Sequence, residues 1–209
     1  IGTSYWSGVQ KLLLNFVVIR FLLLVFFAGI GGSFLNNYLL LYMNSIHASK
    51  ALMGIALTVA TVSEVPMWFF SDRFIRKLGA RGTLILGLIT FGFRAILYSV
   101  IQASWMVLPV QLLHGVTFSI TYAAGVTYAS ELAPEGLGAT AQGLFTGTMM
   151  GLGGATGALI GGYLFDRVGG AVMFQWAGIA ILIFGLLDLG SQVYERNSAR
   201  RKIAYKEME

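Results

Sequence analysis

VVIRFLLLVFFAGIGGSFLNNYLLLYM, residues 17–43, holds a single charge, Arg20. A helix over this stretch is about 40 Å long at about 1.5 Å per residue, more than enough to cross a hydrocarbon core of about 30 Å. Its apolar residues run on without strict alternation, so the membrane structure it favours is a helix and not a barrel strand. It also carries a polar island, Ser33, Asn36 and Asn37.

Five more apolar runs follow, at 51–70, 83–101, 105–130, 139–164 and 171–192, giving six predicted spans. The composition agrees. Hydrophobic residues make up 56% of the 209 and charged residues only 11%, with a mean hydropathy of +0.76. A water-facing domain needs about 25% charged residues. The expected class is therefore an all-α integral membrane protein built as a six-helix transmembrane bundle. Residues 1–16 form a cytoplasmic lead-in, where Tyr5 and Trp6 suit a membrane interface. Residues 17–192 hold the spans, and 193–209 a basic tail, read as a short helix or disordered. SDRFIRKLGARG, 71–82, reads as a loop, and ELAPEGLG, 131–138, as another, where Pro134 stops a helix.

Several chemistries are excluded early. There is no cysteine, hence no thiol nucleophile or thiolate metal site, and two histidines cannot cage a metal alone. No cofactor, metal or nucleic acid is expected. The net charge of +5 sits in loops and tail, which points to membrane lipid as the partner. Lys and Arg also set orientation. Ten lie on one side (Lys11; Arg73, Arg76, Lys77, Arg81; Arg196, Arg200, Arg201, Lys202, Lys206) against Lys50 and Arg167 on the other. Both termini are thus expected in the cytoplasm, the plasma membrane being favoured over an organelle. The chain starts on Ile1 with no signal-peptide pattern, so it reads as a piece of a longer polypeptide.

Glycine clusters late. Gly143, Gly147 and Gly151 repeat every four residues, as do Gly157 and Gly161. That spacing predicts close helix packing, and it also suits a helix that slides during a cycle.

Charges inside apolar runs carry the functional information, because they are costly in lipid unless paired or wetted. Glu64, Arg94 and His114 stand out. At about 1.5 Å per residue, Arg94 lies about 17 Å from the cytoplasmic end of its run and His114 about 14 Å from the outer end of its own. Glu64 lies about 10 Å in. One buried network of the three is expected. In a proton-coupled site, Glu64 would take a proton or a substrate donor, Arg94 would supply fixed positive charge, and His114 would bond substrate hydroxyls or tune the carboxylate. The plainer reading is an ion pair that orders the bundle. Asn36, Asn37, Gln111, Tyr122 and Gln142 are further candidate substrate contacts, each better suited to a helix–helix polar contact. Asp188 reads as structural or interfacial, and Arg20 as snorkelling to the headgroups.

RKLGARG, 76–82, resembles the cytoplasmic loop motif of the major facilitator superfamily. Asp72, Arg73, Gly79 and Arg81 are its candidate members, although Arg76 stands where the family usually has an acid. Glu64-Val-Pro66, the stretch Leu108 to Gly115 (LPVQLLHG), Ala133-Pro134 and Ala141 to Leu144 (AQGL) resemble one branch more closely. That branch comprises the major-facilitator-domain-containing protein six group and its bacterial relatives, near the lactose permease group of oligosaccharide or nucleoside proton symporters. The resemblance implies the C-terminal half of a twelve-span fold, two inverted three-helix repeats, paired with an N-terminal six-span half of the same polypeptide. It further implies secondary active transport of a small polar solute by alternating access, with Glu64, Arg94 and His114 on the positions of sugar recognition and proton coupling. The acid expected one turn beyond the histidine is Thr117 here. That substitution motivates the alternative, a receptor, sensor or structural partner of facilitator-like fold that does not transport. No nucleophile–base pair or phosphate loop suggests an enzyme.

Overall fold

The computed structural model describes residues 2–206, and all regular structure among them is helical. The elements are α1 (Gly2–Leu14), α2 (Phe16–Ser45), α3 (Lys50–Ser99), a 3-10 turn at Ser104–Met106, α4 (Val107–Gln111), a π-helical turn at Val116–Ile120, α5 (Thr121–Leu132), α6 (Gly138–Thr146), a second π-helical turn at Gly147–Gly153, and α7 (Gly154–Lys206). Three continuous helical stretches are long and apolar enough to cross a membrane: Phe16–Ser45, Lys50–Ser99 and Gly138–Ser198. A fourth arises if Ser104–Gln111 and Val116–Leu132, bent by 41°, count as one.

The helix starts follow from local chemistry. Asn15 caps α2 by accepting from Val17 N, and Ser49 caps α3 by accepting from Leu52 N. Each fills one of the orphan donors of a first turn.

Neither α3 nor α7 is straight. Gly79 (φ 76°, ψ 163°) and Gly169 (φ 79°, ψ 166°) leave helical geometry for a region open to glycine. Gln111 fixes what happens at the first. Its side chain reaches both the Ala56 carbonyl and Arg94. In a straight helix those two residues are about 57 Å apart, so α3 folds back on itself at Gly79. The same logic holds for α7. Before Gly169 it runs alongside α2 in the same direction, with Gly157 beside Ser33 and Gly161 beside Tyr38. After it, Phe174 meets Tyr42, Ile181 meets Gly31, and Phe184 stacks on Phe27 at 3.9 Å between centroids. The direction has reversed.

Of its two readings the tail takes the helical one, to Lys206 and continuous with the last apolar run. Two expectations need correction. The stretch 71–82 is not a loop; helix continues through Leu78. The two glycine repeats also behave differently. Gly157 and Gly161 do pack tightly, against Ser33 and Tyr38, whereas nothing in the chain lies within 4 Å of where a Cβ would sit on Gly143, Gly147 or Gly151. That second face has no neighbour among the described residues.

The lead-in is α1, with Trp6 exposed at 70% and Leu12 packed into a core with Val18 and Phe21. The side chain of Tyr5 lies outside the described residues, as do those of Arg200, Arg201, Lys202 and Lys206.

Candidate functional site

The site forms where the fourth apolar run is broken. Leu112 and Leu113 form a turn after α4, and His114 and Gly115 are helical again, leading into the π-helical turn. Gly115 allows a close approach here. Its N–H donates to Ser63 Oγ at 2.9 Å, and a Cβ there would stand 2.1 Å from the Ser63 carbonyl oxygen. The first part of α3 therefore approaches the break almost backbone to backbone. Glu64, next to Ser63, is delivered to His114 by that approach.

Arg94 is 1% exposed and all its donors are used. Nε donates to Tyr98 Oη at 3.2 Å, Nη1 to His114 Nδ1 at 3.0 Å and to Thr117 Oγ1 at 3.0 Å, and Nη2 to Tyr98 Oη at 3.1 Å and to Gln111 Oε1. Arginine offers five N–H groups and no acceptor. Every partner here is a neutral acceptor. Gln111 completes the cage: its Oε1 also accepts from Tyr98 Oη at 2.8 Å, and its Nε2 donates to the Ala56 carbonyl at 3.1 Å.

The bond from Arg94 decides the histidine tautomer. Since guanidinium only donates, Nδ1 must accept, and the neutral ring carries its proton on Nε2. Nε2 lies 3.0 Å from Glu64 Oε1. Arg94, His114 and Glu64 thus form one polar chain, a hydrogen bond from Arg94 to His114 followed by a 3.0 Å contact between His114 and Glu64. Glu64 is the accessible end, its side chain 22% exposed. The carboxylate opens into a cavity of about 420 Å³ bounded by Leu35, Asn36, Thr61, Glu64, His114 and Phe118. A second cavity of about 290 Å³ shares Asn36, His114 and Phe118 and adds Ser33, Asn37 and Met149. Phe118 stacks on His114 at 5.9 Å and on Tyr122 at 6.1 Å, so one aromatic row borders the space.

The remaining candidates divide. Asn36 lines both cavities. Asn37 donates to Ser33 Oγ at 2.9 Å, which in turn donates to the Gly154 carbonyl, so it ties α2 to α7 while lining the smaller cavity. Tyr122 makes ring contacts with Trp68, Phe118 and Phe145. Gln142 is spent on the Val126 carbonyl and Ser130 Oγ, both at 2.8 Å, away from the cavities. In the loop motif, Asp72 and Arg73 are exposed and Gly79 makes the reversal. Arg81 meets Asp188, Ser191 and Glu195. Arg20 does not simply snorkel, since it pairs with Asp188 and Glu195 as well.

Sequence reasoning missed Tyr98. Its signal was present, four residues after Arg94 on one helix face. It missed Ser63 too, for which no sequence pattern speaks.

A helical chain whose two longest helices each double back, with a buried arginine beside a cavity, invites comparison with known proteins. The model of the MFS_1 like family matches residues 3–176. The chain belongs to that major facilitator family. It is 28% identical over 167 residues to major facilitator superfamily domain-containing protein 6-like protein A of Xenopus laevis, covering 80% of this chain and 27% of that protein. It is 26% identical over 183 residues to the uncharacterized transporter YwbF of Bacillus subtilis, 88% of this chain and 44% of that one. Against the maltose permease of Geobacillus stearothermophilus it is 27% identical over 184 residues, 88% and 47%. The chain therefore spans less than half the length of these relatives. No solved structure matches it. Family and apolar helices together make it a multi-pass integral membrane protein.

Proposed function

We propose that this chain is the C-terminal half of a secondary transporter that moves a small polar solute by alternating access, with Glu64, Arg94 and His114 at its centre. Read this way, the reversals at Gly79 and Gly169 divide the helices into six membrane spans, a half-transporter whose cavity closes against an N-terminal six-span half of the same polypeptide. Both termini lie in the cytoplasm, by the bias of Lys and Arg, and the plasma membrane is the favoured location. One observation carries the reading: the carboxylate of Glu64 faces a cavity and connects through His114 to a buried arginine that has no other acid. The names of its relatives support transport over catalysis.

Glu64 is the group that takes a proton or a solute donor. Arg94, which with Gln111 also borders the Glu64 cavity, contributes fixed charge, since its donors are all occupied within the chain. Asn36 and Asn37 supply further polar contacts, and Phe118 a flat face. The test is solute uptake by the full-length protein carrying Glu64→Gln. Loss of uptake and of its pH dependence is expected; wild-type uptake with a wild-type pH profile would sink the role of Glu64.

Thr117 favours a second reading, a receptor or sensor of the same fold, because it supplies Arg94 with a hydroxyl where an acid is expected. Ligand-induced thermal stabilisation without counterflow in liposomes would support that alternative.

A further inference from the structure

Four charged side chains meet at the end of the bundle opposite Tyr98. Arg20 comes from α2, Arg81 from α3, and Asp188 and Glu195 from α7. Asp188 is the buried member and lies between the two arginines, accepting from Arg20 Nε at 2.6 Å and from Arg81 Nη2 at 3.3 Å. Glu195 is different. Its side chain is 52% exposed, and its two oxygens are divided between the arginines: Oε1 takes Arg20 Nη1 at 2.5 Å and Oε2 takes Arg81 Nη1 at 2.7 Å. Two guanidinium groups thus hold one anion across a two-oxygen bridge, and the anion is the removable part.

A groove of about 270 Å³ leads away from this clamp. Phe16, Ile19, Leu23, Phe184 and Leu187 line it, with Arg20 and Asp188 on its polar side. Leu23 and Leu187 are exposed at 47% and 68%. The Phe27–Phe184 stack lies one turn further into the bundle along both helices. The groove is apolar along its length, with the Arg20–Asp188 pair at its polar end, and the site becomes cationic only where Glu195 leaves the two arginines.

We infer that this groove and the Arg20–Arg81 clamp bind an anionic phospholipid, whose phosphodiester replaces the carboxylate of Glu195. The inference rests on the chain being embedded in a membrane and not on its transporting anything. A phosphodiester presents two oxygens to two guanidinium groups, as the carboxylate does. The exchange is of one negative charge for another, so Asp188 keeps its partners. Glu195, once displaced, releases the tail from α2 and α3. That tail carries Arg196, which then meets the acidic surface that supplied the lipid.

The experiment titrates phosphatidylglycerol or phosphatidylcholine into the full-length protein in detergent and counts bound lipid by native mass spectrometry, with inorganic phosphate as a separate arm. Phosphatidylglycerol should bind and phosphatidylcholine should not. Glu195→Gln removes the internal competitor, so its affinity for phosphatidylglycerol should rise about twofold to fivefold, the scale of one exposed ion pair. Arg20→Gln should lose most of the binding. Leu23→Ala, which leaves the charges intact, should weaken the lipid without folding concerns. Equal binding of both lipids, an unchanged affinity in Glu195→Gln, or displacement of the lipid by inorganic phosphate alone would each overturn the assignment. Transport can fail in every one of these variants or in none without affecting that outcome.

Discussion

Gly115→Ala tests the geometry that brings Glu64 to His114. A Cβ on Gly115 would sit 2.1 Å from the Ser63 carbonyl oxygen and 2.7 Å from Met67 Cγ, where ordinary contact begins at 3.4 Å. Met67 can move its side chain, but the carbonyl can retreat only with its helix. The first part of α3 must then withdraw by about 1.3 Å, the difference between 3.4 and 2.1. Glu64 adjoins Ser63 and moves with it, so its 3.0 Å contact with His114 Nε2 opens to about 4 Å, beyond hydrogen-bonding range. Gly115 N–H also loses Ser63 Oγ. Overpacking of this kind costs about 1–3 kcal/mol, and the lost bonds add to it. The assay is thermal unfolding of the full-length protein, run as a double-mutant cycle with Glu64→Gln. Alone, Gly115→Ala should destabilise clearly more than Gly143→Ala, which meets open space. In the Gly115→Ala background, Glu64→Gln should add little, because the bond it removes is already broken. If Gly115→Ala costs no more than Gly143→Ala, the backbone approach is not what seats Glu64. Strict additivity with Glu64→Gln would refute the reasoning equally.

Other expectations follow from the same contacts. Gln111→Leu removes an acceptor from Arg94 and from Tyr98 and a donor from the Ala56 carbonyl; bonds to charged groups are worth about 1.5–3 kcal/mol, so it should lower the thermal midpoint several times more than Gln142→Leu, whose bonds lie away from the arginine. Gly29→Ala would bring a Cβ to 2.1 Å from the Met149 carbonyl, and should destabilise by about 1–3 kcal/mol in the same assay. Glu195 gives a pH dependence. The hydrogen bond from Arg81, aided by Arg20 and opposed in part by burial, holds its carboxyl below the usual carboxylate range. A lowered acid contributes stability that is complete above its ordinary value, about 4.3, and lost as pH falls through the lowered one. Wild type should therefore exceed Glu195→Gln in thermal midpoint by a constant amount above about pH 5, and the two should converge in stronger acid. Arg20 and Arg81 face Glu195 directly, Asp188 shares both arginines, and Tyr128 and Glu131 of α5 lie near those arginines and Asp188; convergence already at neutral pH would point to one of those groups instead.

How much of this was legible in the sequence depends on the range of the interaction. Apolar runs report solvent, and solvent acts on every residue, so the membrane class could be read from 17–43 alone. Charges in those runs stand out for the same reason, which is why Glu64, Arg94 and His114 were separable from their surroundings. Tyr98 and Gln111 were harder. A tyrosine in an apolar run reads as an aromatic, and only its spacing of four from Arg94 marks it as a partner. Contacts between distant residues left no local trace. Arg20 and Asp188 lie 168 residues apart, so a snorkelling arginine and an interfacial aspartate were the natural readings of two halves of one pair. The turn before His114 was illegible for another reason: LLHG contains no proline, and the Ser63 backbone packed against Gly115 comes from 52 residues away.

The neutral cage around Arg94 changes what the missing acid at Thr117 means. An arginine paired with an adjacent carboxylate is locally balanced and indifferent to more remote charges. Arg94 is not, because tyrosine, glutamine, threonine and histidine satisfy its hydrogen bonds without cancelling its charge. A buried uncompensated charge is costly, and the nearest compensation within its bonded chain is Glu64, one imidazole away. The two ends are consequently coupled: whatever neutralises Glu64, a proton or a cationic group, leaves Arg94 unbalanced. With a carboxylate in place of Thr117 that dependence would disappear. The threonine thus concentrates on Glu64 a task that two acids would otherwise divide, and a Thr117→Glu protein should tolerate Glu64→Gln better than the wild type does. Thermal midpoints of the four proteins in that cycle measure the exchange directly, and a Glu64→Gln penalty unchanged by Thr117→Glu would show that Arg94 does not depend on Glu64 at all.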